Sequence, residues 1–264
     1  MVPESLLKDN NLADALAILK KEIASDPSDA KKRWFLFQLF CFVGDYKRAS
    51  DQLKLTAQLD DEFQSASLIY SRVIASELFR EAVVAGEATP LILGEPEPWL
   101  AKLFEANRML GQDDLESATQ LRMEAYDSQP AVPGDCNGTR FEWICDQDSR
   151  FAGNLECFMN GKYYWLPLSQ VKEMSLENES ETRSYLDLLY PRARLILRTE
   201  AELDAILFAR YPANYSLDSP ALAMNRLTEW EDLNDYNILG TGQRMFCADS
   251  GEFPLLELSK LSFD

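Results

Sequence analysis

The 264-residue chain contains no histidine. That absence excludes the mechanisms that need an imidazole base, such as Ser-His-Asp and Cys-His catalysis, and it removes the commonest metal ligand. The five cysteines are Cys41, Cys136, Cys145, Cys157 and Cys247. None of them forms a C-x-x-C pair, so we expect free thiols in a reducing compartment rather than a zinc site or disulfides. The sequence predicts no catalytic residues, no metal site and no cofactor, and hence no enzyme.

Long apolar runs are also missing. The most apolar stretch, residues 34–43, is far too short to span a bilayer and contains Gln38. The first eight residues lack the basic region followed by an apolar region that defines a secretory signal. We therefore expect no membrane insertion and a cytoplasmic location.

Basic residues are scarce, with 26 lysines and arginines against 44 acidic residues and a net charge of −18. Residues 1–134 hold 22 acidic and 14 basic residues, and residues 135–264 hold 22 and 12, so the acidic excess covers both halves. Such a chain repels phosphate backbones and anionic lipid surfaces. Nucleic acid is therefore a poor partner, and a basic or amphipathic segment of another protein is a better one.

A repeat is present in the first half. Residues 10–27 align with residues 44–61 at an offset of 34 residues, which is the tetratricopeptide period, and with residues 113–130 at an offset of 103. The three copies share a small residue that allows close approach of a paired helix: Ala15, Ala49 and Ala118. Apolar residues follow four and eight positions later, although Arg122 interrupts this stripe in the third copy. Chance similarity between amphipathic helices is the alternative explanation.

The repeat and the segments between its copies predict the fold class and the domains. Residues 30–43, 62–85 and 99–110 are also predicted to be helical, so residues 1–134 form a tetratricopeptide-like, all-helical domain. The Pro/Gly-rich stretch 130–138 is the boundary. Residues 135–264 form a β-rich domain, a small barrel or a curved sheet, which makes the protein an α+β protein.

The prediction of a β-rich domain rests on short runs of residues that are typical of β-strands. The predicted strands are residues 141–145, 155–159, 162–167, 192–198, 203–209, 242–248 and 253–258. Asn160-Gly161 lies between two of them and predicts a tight hairpin, since a type I′ turn needs positive φ at both positions. Asp249-Ser-Gly251 is a weaker hairpin signal.

A polar cluster is the main place where chemistry could occur. Glu142, Asp146, Asp148 and Arg150 lie within ten residues, and their oxygen atoms would suit a metal or an acid–base pair. The segment lacks the glycine and the terminal glutamate of a calcium loop. The alternative is a strand end whose carboxylates cap backbone N–H groups or pair with Arg150.

Aromatic side chains supply the candidates for a partner surface. Residues 30–43 are apolar on more than one face, which is typical of a helix that is buried or that lines a groove for a partner. The candidate binding residues are Trp34, Phe37, Phe40, Trp99 and Tyr164. Burial in the core is the alternative for all of them.

Seven segments in order resemble one family. They are FLFQLFCFVGDY at 35–46, LGEPEPWL at 93–100, FEWICDQDSR at 141–150, NGKYYW at 160–165, ARYP at 209–212, TEW at 228–230, and GQRM at 242–245 with GEFPLL at 251–256. Together they resemble the ImpE/TagJ family, accessory proteins of bacterial type VI secretion, over nearly the whole chain.

The resemblance implies a non-enzymatic adaptor. It implies a partner, the small subunit of the contractile sheath, contacted through a helix of that subunit, and an influence on sheath assembly or recycling. It carries over no catalytic residue. Two other hypotheses remain, a carboxylate- or metal-dependent enzyme centred on Glu142, Asp146 and Asp148, and a generic tetratricopeptide co-chaperone.

Overall fold

The computed structural model describes residues 3–176 and 184–264. Within them the chain is an α+β protein, with helices in the first half and most strands after Gly134. The helices of the first half are α1 (Pro3–Lys8), α2 (Leu12–Ser25), α3 (Ala30–Phe42), α4 (Tyr46–Leu59), α5 (Gln64–Val84), α6 (Pro98–Gly111) and α7 (Leu115–Ser128). Each helix contacts the next along the chain.

Side-chain caps fix where several helices begin. Asn11, Asp29, Asp45 and Asp114 each accept a hydrogen bond from a backbone N–H in the first turn of α2, α3, α4 and α7, which satisfies a donor that has no partner within the helix. The three repeat copies coincide with α2, α4 and α7. Their alanines, Ala15, Ala49 and Ala118, are fully buried, as the close approach of paired helices requires.

The first half is not entirely helical, so that part of the prediction is wrong. Residues Leu91–Ile92 form a short strand, β1, which pairs in parallel with Tyr164 and Trp165. The Leu93 N–H extends the ladder to the Trp165 carbonyl at 2.9 Å. Pro90 and Pro96 prevent this connection from forming a helix. The extended chain instead pairs with backbone groups at the edge of the sheet, which would otherwise be left without partners.

Thirteen further strands lie in the described part of the second half. They are β2 (Gly134–Cys136), β3 (Thr139–Phe141), β4 (Ile144–Asp146), β5 (Asn154–Met159), β6 (Lys162–Pro167), β7 (Val171–Leu176), β8 (Arg192–Leu197), β9 (Glu202–Leu207), β10 (Thr228–Asn234), β11 (Asn237–Gly242), β12 (Met245–Ala248), β13 (Gly251–Pro254) and β14 (Lys260–Phe263). A short helix, α8 (Pro220–Ala223), precedes β10.

The strands of the described residues form three sheets, whereas one sheet or barrel was predicted. The largest has the order β1-β6-β5-β9-β8-β7-β14-β2-β3, and the others are β13-β12-β4 and β10-β11. The predicted strand 141–145 is split between two sheets, because the chain leaves the large sheet between Phe141 and Ile144. The predicted strand 253–258 ends at Pro254, where a 3₁₀ turn begins.

The hairpin prediction at Asn160-Gly161 is confirmed. Met159 pairs with Lys162 across the turn, and the two turn residues have φ of 49° and 78°. The turn after Ala248 also closes a hairpin, in which Ala248 pairs with Gly251.

One hydrophobic core joins the two halves of the chain. Residues from α2 to α7 share it with residues of the second half, among them Phe158, Tyr163, Trp165 and Phe208. A second core lies within the β-rich half. The division into two domains at residues 134 and 135 therefore stays a prediction, and the fold positions charged side chains at the shared core.

Candidate functional site

Five charged side chains are buried where α5 meets the sheets. They are Glu77 and Arg80 from α5, Asp146 from the end of β4, Glu156 from β5 and Arg244 from the residue before β12. None is more than 5% exposed. Charged groups are rarely buried to this extent unless they are paired, so their hydrogen-bond partners decide what the cluster can do.

Glu156 lies between two arginines. Arg80 donates to both carboxylate oxygens of Glu156, at 2.9 and 2.7 Å, and to Glu77 at 2.5 Å. Arg244 forms ion pairs with Glu156 and with Asp146. The cluster thus links a helix of the first half to three strands or strand ends of the second half.

Aromatic groups complete the cluster and exclude water from it. The Tyr163 hydroxyl donates to Glu156, and the Trp165 indole donates to the Tyr163 oxygen at 2.6 Å. The Tyr211 hydroxyl donates to Asp146 at 2.7 Å. The Arg244 guanidinium stacks over the ring of Phe151, with its carbon 4.3 Å from the ring centre.

Two guanidinium groups contact three carboxyl groups, so the positive charges do not balance all three. One carboxyl group therefore keeps its proton to a higher pH than the others. Burial raises the pKa of Asp146 to about 7, with Arg244 acting in the opposite direction. Burial would also raise the pKa of Glu156, but Arg80 and Arg244 together hold it below its usual range.

The polar cluster expected from the sequence is only partly assembled. Asp148 pairs with Arg150 at 2.5 Å and accepts a hydrogen bond from the Gly240 N–H at 2.8 Å. Asp146 belongs to the buried ion cluster described above. Glu142 is exposed and separate, and its backbone N–H donates to Asp249.

Asp146 and Asp148 therefore have the arrangement expected if their carboxylates cap backbone N–H groups or pair with arginines. Their oxygens are occupied by arginines, a tyrosine hydroxyl and backbone N–H groups. Across residues 3–176 and 184–264, no group of three or more His, Cys, Asp or Glu side chains could hold a metal ion.

Arg122, which interrupts the third repeat, makes a second link between the halves. It is fully buried, and burial lowers its pKa. Its guanidinium donates to the Ser149 carbonyl at 2.6 Å, to Asn237 at 3.0 Å and to Asn107 at 3.1 Å. In the sequence, Arg122 stands out only because it replaces an apolar residue of the repeat pattern.

The aromatic candidates for a partner surface lie largely inside the protein. Phe37, Phe40 and Trp99 belong to the shared core and are at most 3% exposed. Trp34 is partly buried and packs on Phe37, with ring centres 5.1 Å apart. Tyr164 is also partly buried. Burial was the alternative for this set, and any binding role for these residues stays a prediction.

Accessible apolar side chains lie on α4 and α5 instead. The exposed large apolar residues of these helices are Leu55, Leu59, Leu68, Ile69, Leu78 and Phe79. One of these residues, Leu78, lines an open groove between the two helices, and an apolar side chain exposed in a groove is typical of a binding surface. These residues do not stand out in the sequence, because their helices also satisfy the pattern of buried stripes.

An open groove of about 750 Å³ lies between α4 and α5. The residues that line this α4–α5 groove are Val43, Gly44, Asp45, Tyr46, Lys47, Ser50, Asp51, Lys54, Ser71, Ile74, Ala75 and Leu78. On both helices the lining residues recur three, four and seven positions apart, so one face of each helix forms a wall. Lysines and aspartates share the rim, which is therefore not purely acidic.

Comparisons with known proteins agree with this architecture. The family model described as ImpE protein matches residues 138–262. The type VI secretion system accessory component TagJ of Pseudomonas aeruginosa is 38% identical over all 264 residues, which cover 92% of that protein. A crystal structure of a Vibrio parahaemolyticus protein has the same fold, with a TM-score of 0.88 at 23% identity, over 99% of this chain and 97% of that one. No helix in the described ranges is both long and apolar enough to cross a membrane.

Proposed function

The chain belongs to the ImpE family, and from that premise we propose that it is a non-enzymatic accessory protein of a type VI secretion system. The observation that carries the proposal is the full-length relationship to the TagJ accessory component. The occupied carboxylates of Asp146, Asp148 and Glu156 support a role without catalysis. The sheath of such a system is assembled in the cytoplasm, and the proposed role places the protein there.

We further propose that the partner is the small sheath subunit and that one of its helices binds in the α4–α5 groove. An amphipathic helix presents anchors at i, i+3, i+4 and i+7, which matches the spacing of the groove walls. In this proposal residues 1–134 act as the tetratricopeptide-like binding unit and residues 135–264 as the β-rich unit that supports it.

Leu78 is the residue on which this surface can be tested. Its side chain is 61% exposed and lines the groove, so a bound helix would cover it. Loss of one central apolar anchor costs about 2 kcal/mol of binding free energy, which is about a 30-fold increase in Kd. Leu68 lies on the same helix and is 60% exposed, but it does not line the groove, which makes it a matched control.

The experiment is calorimetric titration of the whole chain with peptides tiled from the small sheath subunit. We expect one amphipathic peptide to bind, L78E to weaken binding at least about 30-fold, and L68E to leave it within about twofold. The whole chain is used because the two halves share a core. If L68E rather than L78E removes binding, the groove is not the surface. If no peptide binds the whole chain, the sheath partner is wrong.

A further inference from the structure

Two cysteine thiols meet across neighbouring strands. Cys145 in β4 and Cys247 in β12 are directly opposed in an antiparallel pair, and their Sγ atoms are 3.5 Å apart. Two residues further along, the Gln147 N–H donates to the Met245 carbonyl. Because hydrogen-bonded pairs alternate along such a ladder, the cysteines form a hydrogen-bonded pair with Cα atoms about 5.5 Å apart. That separation lies within the range of bridged cysteines.

Both thiols are accessible from a cavity of about 530 Å³. The cavity is also lined by Tyr126, Trp143 and Tyr236, and both cysteines are only partly buried. The other three cysteines, Cys41, Cys136 and Cys157, are fully buried. A small uncharged oxidant can therefore reach this pair of thiols while the remaining thiols stay enclosed.

We propose that Cys145 and Cys247 are an oxidative modification site, a dithiol that hydrogen peroxide converts into an intramolecular disulfide. Disulfides in reducing compartments are characteristically transient and redox-sensing, and this site needs no movement of one strand past the other. The bridge would tie β4 to β12 at the wall of the cavity. This inference is independent of the sheath-binding proposal.

The reaction proceeds in two steps. The Cys247 thiol loses its proton, the thiolate attacks one oxygen of peroxide, the O–O bond breaks, and Cys247 becomes a sulfenic acid, while the released hydroxide takes up a proton as the first water. The Cys145 sulfur then attacks the Cys247 sulfur, the S–O bond breaks, and hydroxide leaves and takes up the thiol proton as water. Two thiols and one peroxide thus give one disulfide and two waters.

The order of the two cysteines follows from their hydrogen bond. The hydrogen bond between the two thiols lowers the pKa of Cys247, and the same contact together with burial raises the pKa of Cys145. The thiolate is the reactive form, so Cys247 attacks peroxide and Cys145 resolves the intermediate. Burial, Asp146 and Glu252 act in the opposite direction on the pKa of Cys247.

The test uses the whole purified chain, reduced, freed of reductant and then treated with hydrogen peroxide. Free thiols are counted after denaturation, and non-reducing peptide mass spectrometry locates any bridge. We expect the thiol count to fall from five to three, with one linkage between the Cys145 and Cys247 peptides and a mass loss of two hydrogens. Dithiothreitol should restore all five thiols.

Variants separate the proposed roles. C145S should leave Cys247 as a sulfenic acid that a dimedone-type reagent traps, whereas C247S should react more slowly and form no bridge. C136S, which alters a buried thiol elsewhere, should still form it. A linkage between other cysteines, a bridge between chains, or five remaining thiols would overturn the proposal. Equal sulfenic acid formation in the C145S and C247S variants would overturn the assigned order.

Discussion

Replacement of Arg244 by methionine tests whether the buried ion cluster holds the protein together. The guanidinium contacts Asp146 and Glu156, donates to the Phe208 carbonyl at 3.1 Å, and stacks over Phe151. Methionine keeps much of the apolar volume of the side chain but removes the charge and all the donors. The substitution therefore isolates the electrostatic part of the interaction.

The magnitude follows from what the substitution leaves behind. Removal of one partner from a buried ion pair costs about 3–5 kcal/mol of stability, because a carboxylate is left buried without compensation. Glu156 keeps Arg80 in the variant, so Asp146 bears most of the loss. Since the pKa of Asp146 is already about 7, protonation can relieve part of the cost at neutral pH. We expect about 3 kcal/mol at pH 7 and less at pH 5.

The control is the exposed pair of Arg194 and Glu202, whose side chains are 58% and 57% accessible. R194M makes the same chemical change at the surface, where an ion pair contributes at most about 1 kcal/mol. Urea unfolding followed by tryptophan fluorescence at pH 7 and pH 5 measures both variants. A loss of stability in R244M within about 1 kcal/mol of that in R194M would refute the reasoning.

Two further predictions concern Asp146 and the hairpin turn. The pKa of Asp146 is raised from 3.8 to about 7 on folding, so the carboxyl group stabilises the fold at low pH, and this contribution is lost as the pH rises towards 7. The free energy of unfolding of the native protein, relative to that of D146N, should thus fall by about 1.4 kcal/mol per pH unit between about pH 4 and pH 7. No histidine titrates in that window. Parallel curves of unfolding free energy against pH for the two proteins would contradict the assignment. G161A should cost about 1–2 kcal/mol in urea unfolding, because residue 161 has a φ of 78°, and an unchanged stability would contradict the turn geometry.

The sequence predicted the elements that are determined by contacts between residues close in the chain. Helices α2 to α7 appear within about two residues of their expected positions, whereas α1 and α8 were not predicted, and Asn160-Gly161 forms the expected hairpin. In both cases the determining contacts join residues close in the chain, so a short window of sequence contains them. The strands β1, β2, β7, β10, β11 and β14 were not predicted. β1 and β14 pair with strands distant in sequence, whereas β2–β3 and β10–β11 are hairpins whose local signals were missed.

The ion cluster could not be predicted from any local pattern. Arg80 and Glu156 are 76 residues apart, and Arg244 and Glu156 are 88 residues apart. Each of these residues, taken alone, is indistinguishable in sequence from a solvated charge. The segments that resemble the ImpE family include Arg210 and Arg244, but the resemblance assigns no role to either residue. Only the folded arrangement shows that these charges are buried together.

The two halves of the chain also depend on each other through contacts between distant residues. Arg80 on α5 and Arg122 on α7 donate into the second half, whereas Arg210 of the second half donates to the Cys41 and Phe42 carbonyls at the end of α3. The last carbonyls of a helix have no partner within it, and a cation there also interacts favourably with the helix dipole. The helical half therefore relies on the β-rich half to satisfy its own backbone. Residues of the β-rich half contact both helices of the α4–α5 groove, since Arg210 donates to Tyr46 on α4 and Glu156 accepts from Arg80 on α5. These contacts give the β-rich half a role in any binding that the helices perform.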